Sequence, residues 1–261
     1  MTDLPRIVGM VHLPPLPGAP RFDGDREAIR RRARRDAAAL DAGGVDAVLV
    51  ENYGDTPFYP DDVPDHVVAS MTHLVGLVRR ETACPVGVNV LRNDTTAAVS
   101  VAAATGAAFA RVNVHTGARV TDQGVIEGNA HETIRLRDRL DADVTLLADL
   151  NVKHSAPLGA TRRDEGEAVA DLVDRGLADA VVVSGGRTGE AVDGDRLAAV
   201  ADRCADVDAP LYVGSGVTPD TVGEMLSVAD GVIVGTALKR GGETTNPVDE
   251  ARVRALVAAA D

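Results

Sequence analysis

Polar side chains follow nearly every short apolar run that could form a β-strand in this chain of 261 residues. The carboxyl ends of parallel strands meet at one edge of an α/β fold, and that edge carries the active site. A packed interior would need apolar residues there, so the set predicts a hydrated functional mouth. We predict catalytic roles for His12, Glu51, Asp149 and Lys153. We predict substrate contacts from Asn52, Asn89, Arg111, Asn113, His115, His154, Ser184 and Thr188.

Lys153 is notable because the chain has only two lysines, Lys153 and Lys239, and otherwise uses arginine for its cations. Arginine would serve equally well on the surface, so a retained lysine indicates chemistry that needs a compact ammonium or a neutral amine. A lysine amine can form a Schiff base, act as a general acid or hold an anionic substrate, whereas a guanidinium cannot form a Schiff base. A plain surface cation in a loop is the remaining interpretation.

The two carboxylates, Glu51 and Asp149, are candidates for acid and base because neighbouring carboxylates can differ strongly in pKa. A structural role, in which they orient Arg111 or Lys153, is nearly as well supported. Carboxylates with imidazoles also suit Zn, Mn or Fe. The side chains that could form such a site are His12, Glu51, His115, Asp149 and His154. They lack a tight local spacing, so the sequence predicts no certain cofactor and leaves a divalent metal open.

A second set of glycines ends the last two predicted strands, 211–213 and 231–234. Glycines let backbone N–H groups crowd around an anion, and a helix that starts there adds a favourable dipole. In a (β/α)₈ barrel the loops after strands 7 and 8 form such a phosphate site. Two ordinary tight turns are the alternative. The predicted phosphate ligands are Gly185, Gly214, Ser215, Gly216, Gly235, Thr236 and Lys239.

The elements that position these residues alternate between strand and helix along the whole chain. Strands are predicted at 7–11, 47–51, 86–91, 109–114, 144–150, 180–184, 211–213 and 231–234. Helices are predicted at 26–42, 65–81, 94–105, 129–140, 165–175, 193–204 and 248–259, and Thr218-Pro219 is expected to open another. The sum is an α/β fold, a (β/α)₈ TIM barrel in one domain, 1–261. The long segment 113–128 is expected to be a glycine-rich loop that acts as a lid.

A doubly wound open sheet is the rival architecture. It should carry a glycine-rich turn after its first strand. The sequence there reads HLPPLP, which cannot open a helix on such a turn. The pattern therefore favours the barrel.

Composition excludes several classes of function. A net charge of −13 argues against nucleic acid as a partner. The apolar runs are too short to span a membrane, and the first residues do not resemble a signal peptide, so we expect a cytoplasmic protein without membrane insertion. The two cysteines fit neither a disulfide framework nor a metal pattern. The acidic, lysine-poor composition favours a halophilic source, or a GC-rich genome, and leaves a homo-oligomer open.

Several motifs resemble the BtpA/SgcQ family across nearly the whole chain. They read GMVHLPPLPGAP, VLVENYGDTPF, PVGVNVLRND, RVNVHTGARVTDQGVIEG, ADLNVKHSAPL, VVSGGRTG, VGSGVTPDTV and DGVIVGTALK. The resemblance implies a TIM barrel of the ribulose-phosphate-binding type. It also implies two functional settings, because the founding member is described as a factor for photosystem I biogenesis in cyanobacteria and SgcQ-like members are linked to sugar metabolism. It assigns no catalytic residues.

Two functions follow as expectations. The first is an enzyme, a lyase of the aldolase type or an isomerase, acting on a phosphorylated sugar or a related small metabolite. The second is a non-catalytic biogenesis or assembly factor for a membrane protein complex. The polar strand ends favour the enzyme, whereas an exposed apolar patch would favour the assembly factor.

Overall fold

The computed structural model describes residues 4–158, 165–186 and 192–260. Within these ranges, eight parallel strands close into a barrel in the order β1-β11-β10-β9-β7-β4-β3-β2. The barrel strands are β1 Ile7–His12, β2 Ala47–Glu51, β3 Val86–Asn89, β4 Phe109–Val112, β7 Thr145–Leu150, β9 Ala180–Val183, β10 Leu211–Val213 and β11 Gly231–Val234. The predicted (β/α)₈ fold is confirmed.

Helices connect successive barrel strands and pack outside them. Their bounds are α1 Arg26–Gly43, α2 Asp65–Glu81, α3 Thr95–Thr105, α4 Ala130–Arg139, α5 Glu165–Ala170, α6 Gly194–Asp206, α7 Val222–Leu226 and α8 Glu250–Ala260. An aspartate oxygen caps the start of three of them: Asp25 accepts from Ala28 N at 2.8 Å, and Asp94 and Asp193 do the same for α3 and α6. Such caps satisfy backbone N–H groups that have no partner inside the helix.

The barrel interior is an apolar cluster built from alternate strand residues. Its members are Val8, Met10, Ala47, Leu49, Phe109, Leu147, Ala180, Val182, Tyr212 and Ile233. The Phe109 ring needs the space beside Gly87, where an added Cβ would lie 2.2 Å from Phe109 Cε2. The Tyr212 hydroxyl donates to Pro5 O at 2.7 Å, near the amino end of β1. These side chains fill the barrel below its carboxyl end, and only that end is left for a site.

A small antiparallel sheet replaces the predicted loop at 113–128. It consists of β5 Ala118–Thr121, β6 Gly124–Glu127 and β8 Ser155–Pro157. Asp122 and Gln123 connect β5 to β6, and Gly124 takes a φ of 105°, which glycine adopts without strain. Ile126 is buried against Val114 and Val152. This apolar contact explains why the segment forms a hairpin and not an irregular lid.

The start of one helix was predicted wrongly. Thr218-Pro219 was expected to begin a helix, but α7 begins at Val222. The N–H groups of Thr221 and Val222 both donate to Thr218 O, so one isolated turn precedes the helix.

No helix in the described ranges is long and apolar enough to cross a membrane.

Candidate functional site

The polar site residues continue the inward alternation of the barrel strands. In β1, Val8 and Met10 face the interior cluster and His12 is the next residue in phase; in β2, Glu51 follows Ala47 and Leu49 in the same way. Side chains alternate with a period of two in a strand, so the last inward position of each strand lies at the mouth. The same phase holds for Asn89, Arg111, Asn113, Asp149, Ser184, Gly214 and Gly235.

A cavity of ≈ 1100 Å³ opens among these strand ends. Among the described residues its lining has more cations than carboxylates, although the whole chain carries a net charge of −13. The cations are Arg21, Arg32, Arg92, Arg111, Lys153 and Arg252, and the carboxylates are Glu51, Asp122 and Asp220. A positive concavity in a negative protein concentrates anionic ligands. The cavity is therefore suited to an anionic small molecule.

Asp149 is held by two neighbours. Its Oδ1 accepts from Arg111 Nε at 2.9 Å, and its Oδ2 accepts from Arg111 Nη2 at 3.0 Å and from Asn113 Nδ2 at 2.9 Å. Such bidentate pairs fix the orientation of both partners. This geometry favours the positioning role over acid–base catalysis for Asp149, and it presents Arg111 and Asn113 to the cavity.

Glu51 and His12 form the second carboxylate site. Asn89 Nδ2 donates to Glu51 Oε2 at 2.8 Å, and His12 Nε2 lies 3.7 Å from Glu51 Oε1. Burial, followed by the charges of Lys239 and Lys153, holds the pKa of His12 well below its usual range. A neutral His12 that donates from Nδ1 to Thr244 O, at 3.3 Å, keeps Nε2 as a proton acceptor. Glu51 and His12 both line the cavity and can exchange protons with a ligand.

Lys153 lies in the cavity wall just beyond β7. Its backbone is fixed by Arg92 Nη2, which donates to Lys153 O at 2.7 Å. Burial, and then the charge of Arg111, lower the pKa of Lys153 to about 8. Within the described ranges its ammonium makes no hydrogen bond or ion pair. The side chain therefore supplies an amine that loses its proton close to neutral pH.

The loops after β10 and β11 meet at the cavity as glycine-rich turns. Their residues in the lining are Gly214, Ser215, Gly216, Gly235 and Thr236. Ser215 Oγ accepts from Gly185 N at 2.9 Å and so ties the loop after β10 to the loop after β9. A Cβ would lie 2.7 Å from Ser184 Oγ at Gly214 and 2.8 Å from His12 Cε1 at Gly235. Both positions need glycine because neighbouring side chains occupy that space.

Lys239 was also predicted as a phosphate ligand, but it lies apart from these loop residues. It is completely buried, its Nζ donates to Met10 O at 2.6 Å, and Asp36 Oδ2 of α1 lies 4.0 Å away. An ammonium bonded in the interior cannot reach an anion in the mouth. Arg32 and Arg252 line the cavity instead, held by bonds to the carbonyls of Thr245 and Ala237.

Two predicted substrate ligands hold the protein's own loops. Asn52 Oδ1 accepts from Leu91 N at 2.7 Å, and its Nδ2 donates to Asp55 Oδ2 at 3.1 Å. His115 Nε2 lies 2.7 Å from Gly176 O, which follows α5 outside the barrel. Neither side chain lines the cavity, so both predictions of a substrate contact are corrected to structural roles.

The remaining predictions divide between the cavity and its support. His154 lines the cavity, whereas Ser184 lies just beneath it against Gly214. Thr188 lies outside the described residues. In the part of the chain that the structure describes, no group of three or more His, Cys, Asp or Glu side chains could hold a metal ion. His115 and Asp149 are engaged elsewhere, so the residues weighed for a divalent metal do not come together.

Apart from Arg111, the arginines of the cavity were not predicted from the sequence. Arg32 lies in the run RRRARR of α1, which is typical of a solvated helix face, and Arg252 lies in α8. Arg21 precedes α1, and Arg92 follows β3. Only the rotation of each helix and the path of each loop decide which cation faces the mouth, and no local pattern reports either.

Comparison with known proteins gives one family along the chain. The model of the BtpA family matches residues 4–261. The chain is 44% identical over 253 residues to the photosystem I biogenesis protein BtpA of Synechocystis, which covers 97% of this chain and 87% of that protein. It is 48% identical to protein TK2179 of Thermococcus kodakarensis, covering 96% and 93%, and 35% identical to the sgc region protein SgcQ of Escherichia coli, covering 95% and 91%.

Solved structures share the fold at low sequence identity. Thiamine phosphate pyrophosphorylase of Pyrococcus furiosus superposes with a TM-score of 0.58 at 13% identity, covering 98% of this chain and 95% of that chain. The N-(5′-phosphoribosyl)anthranilate isomerase of the same organism gives 0.57 at 15% identity, covering 98% of each. At such identities the likeness concerns the barrel alone.

Proposed function

The chain belongs to the BtpA family, and we propose that it is an enzyme acting on a phosphorylated sugar or a related small metabolite, as a lyase of the aldolase type or as an isomerase. The observation that carries this proposal is the cationic cavity in an anionic chain, with Lys153 in its wall, whose amine bonds to none of the described residues. Such a ring of ionisable groups has no use in a protein that only assembles others.

The phosphate of the ligand is assigned to the loops after β10 and β11. Their glycines give backbone N–H groups close access to an anion, and Ser215 and Thr236 lie beside them. Arg252 supplies positive charge in place of Lys239, and Arg32, whose Nε is paired with Asp36 at 2.7 Å, adds guanidinium donors. Guanidinium groups suit phosphate because their paired donors match its oxygens.

The chemistry is assigned to Lys153. Its neutral amine attacks a substrate carbonyl carbon, and loss of water from the resulting carbinolamine gives a protonated imine. The imine draws electrons from the adjacent bond, so that either a C–C bond breaks or a proton leaves the neighbouring carbon. Glu51 and His12 line the same cavity and move the protons in these steps. A proton then returns to a carbon of the resulting enamine and regenerates the imine, and water hydrolyses the imine to the product carbonyl and the free amine.

Binding of inorganic phosphate tests the part of the proposal that places a phosphate group in the cavity. We expect Arg252→Ala to weaken phosphate binding about tenfold in isothermal titration calorimetry, because a cation in the cavity is lost. Arg254→Ala is the matched control: it lies in the same helix, exposed, and pairs with Glu250. If the unaltered protein takes up no phosphate at millimolar concentration, in molar KCl or in dilute buffer, the proposal fails.

An assembly factor is the second candidate function, and two observations favour it. One relative is named a photosystem I biogenesis protein. The small sheet also exposes Val120 and Val125 side by side, with Leu158 close to them. Lysine at both valines separates the two candidates: an assembly factor that docks through this face loses its partner, whereas an enzyme keeps its phosphate affinity and its turnover.

A further inference from the structure

Two buried polar atoms, one in the floor of the cavity and one just beneath it, have no hydrogen-bond partner among residues 4–158, 165–186 and 192–260. They are Asn113 Oδ1 and Ser184 Oγ, on side chains that are 3% and 2% exposed. Nearly all buried polar atoms in folded proteins are bonded, so two that are not, at one place, indicate a ligand. Asn113 shares Asp149 Oδ2 with Arg111, and Ser184 Oγ and Arg111 Nη2 both adjoin Gly214. The two atoms therefore flank a single guanidinium.

The amide of Asn113 can take only one orientation. Asp149 is paired with Arg111, so its Oδ2 accepts hydrogen bonds and cannot donate one. Nδ2 of Asn113 must therefore face Asp149, which turns Oδ1 away from it, and Asn113 lines the cavity. The unpaired atom is a pure acceptor. It needs a donor from the ligand, and a hydroxyl group is the donor that a sugar-like molecule carries.

Two cations at this end of the cavity form no ion pair with a described carboxylate. Asp149 is paired with Arg111, whereas Glu51 and Asp122, whose charges also act on Arg92, pair with neither Arg92 nor Lys153. Arg92 is 6% exposed, and of its guanidinium nitrogens only Nη2 bonds to another described residue. Burying a cation without an anion is costly, and a carboxylate of the ligand offsets that cost.

Resting on the phosphate site proposed above, we infer that the ligand is a phosphorylated hydroxy acid, whose far end places a carboxylate on Arg92 and a neighbouring hydroxyl on Asn113 Oδ1. The phosphate lies at the loops after β10 and β11, and the acid lies at the floor beside Arg111. Lys153 lines the same cavity, where a carbonyl of the same molecule can reach it.

Matched pairs of phosphate esters test this inference. The acids are 3-phosphoglycerate, 4-phosphoerythronate and 6-phosphogluconate, and each has a partner without the carboxylate: glycerol 3-phosphate, erythritol 4-phosphate and glucitol 6-phosphate. Calorimetry measures the affinity of each, with inorganic phosphate as reference. We expect an acid to bind at least about tenfold tighter than its partner polyol at the chain length that spans the cavity.

Variants of Arg92 and Asn113 test whether these side chains cause the preference for the acid over the polyol phosphate. Arg92→Gln should weaken the acid several-fold more than the polyol phosphate and so remove the advantage of the acid, and Arg135→Gln, on the exposed face of α4, should change neither. Asn113→Ala should weaken acid and polyol together, but not inorganic phosphate.

The outcomes separate the two proposals. If acid and polyol bind equally at every chain length while phosphate still binds, the hydroxy-acid inference is wrong and the phosphate site stands. If neither phosphate nor any ester binds, both are wrong. If the acid is preferred but Arg92→Gln retains the preference, the carboxylate lies elsewhere and the inference is overturned.

Discussion

The two lysines of this chain have similar acidity and opposite surroundings. Burial lowers the pKa of both Lys153 and Lys239 to about 8. Lys239 is sealed in the interior, with its ammonium bonded to Met10 O and close to Asp36. Lys153 lies in the wall of a cavity of ≈ 1100 Å³, with no such bond within the described ranges.

The difference shows that a lowered pKa alone does not mark a catalytic amine. Desolvation acts on any buried ammonium, whether it serves chemistry or structure. What distinguishes Lys153 is access: its side chain lines an open cavity, whereas the surroundings of Lys239 are filled by the protein's own groups. The predictions below change one lysine at a time, from the largest expected effect to the smallest.

Replacing the amine of Lys153 should have the largest effect. We expect Lys153→Arg to lower turnover at least about a thousandfold, because a guanidinium cannot form an imine. The measurement is kcat with a phosphorylated keto acid of the chain length that the binding series selects. Phosphate affinity and thermal unfolding should stay as in the unaltered protein. Full turnover in this variant would make Lys153 a cation of the loop, and Glu51 would then be the residue to test.

Removing the Lys239 side chain should lower the free energy of unfolding and leave phosphate binding unchanged. We expect Lys239→Ala to lower the free energy of unfolding by about 2–4 kcal/mol, because it leaves a buried space and removes the donor to Met10 O. Lys239→Met is the matched control: it keeps most of the volume and should cost less. Denaturant titration measures both. Stability equal to that of the unaltered protein, or loss of phosphate binding without loss of stability, would reverse the roles assigned to the two lysines.

The smallest expected effect is on the free energy of unfolding, which the buried ammonium of Lys153 lowers. Its folded pKa of about 8 lies below the ordinary lysine value, so between these values the unfolded chain binds more protons than the folded one. Stability should therefore rise with pH through this window. Lys153→Met should stabilise the protein by on the order of 1 kcal/mol at pH 7, and the gain should shrink towards pH 10. A gain that persists at pH 10 would show that packing, and not charge, causes it.

Much of the fold was predictable because the alternation of apolar residues along strands and the capping residues at helix ends are local signals in the sequence. The inward phase of β1 and β2 follows from their sequences, and it places His12 and Glu51 at the mouth. The hairpin at β5 and β6 was missed because Ile126 is held by Val114 and Val152, and the second of these lies far along the chain.

Most of the strand-end and loop residues predicted for the site line the cavity, whereas Lys239 and Asn52 do not. Lys239 follows a short 3₁₀ turn at Thr236–Leu238, and the direction of that turn, which no spacing encodes, sends the side chain inward. Asn52 is out of phase with the inward residues of β2, a sign against a substrate contact that the strand alternation already contained.

Reductive labelling tests the central claim most directly, because the chain offers only two lysines and the α-amino group as targets. Pyridoxal 5′-phosphate is a phosphorylated aldehyde, and borohydride fixes the imine that it forms with an amine. The account predicts one dominant lysine adduct by mass spectrometry, at Lys153, at a rate that rises with pH around 8 and falls when inorganic phosphate is in excess. Labelling of Lys239 at an equal rate, or labelling of Lys153 that phosphate does not suppress, would contradict it.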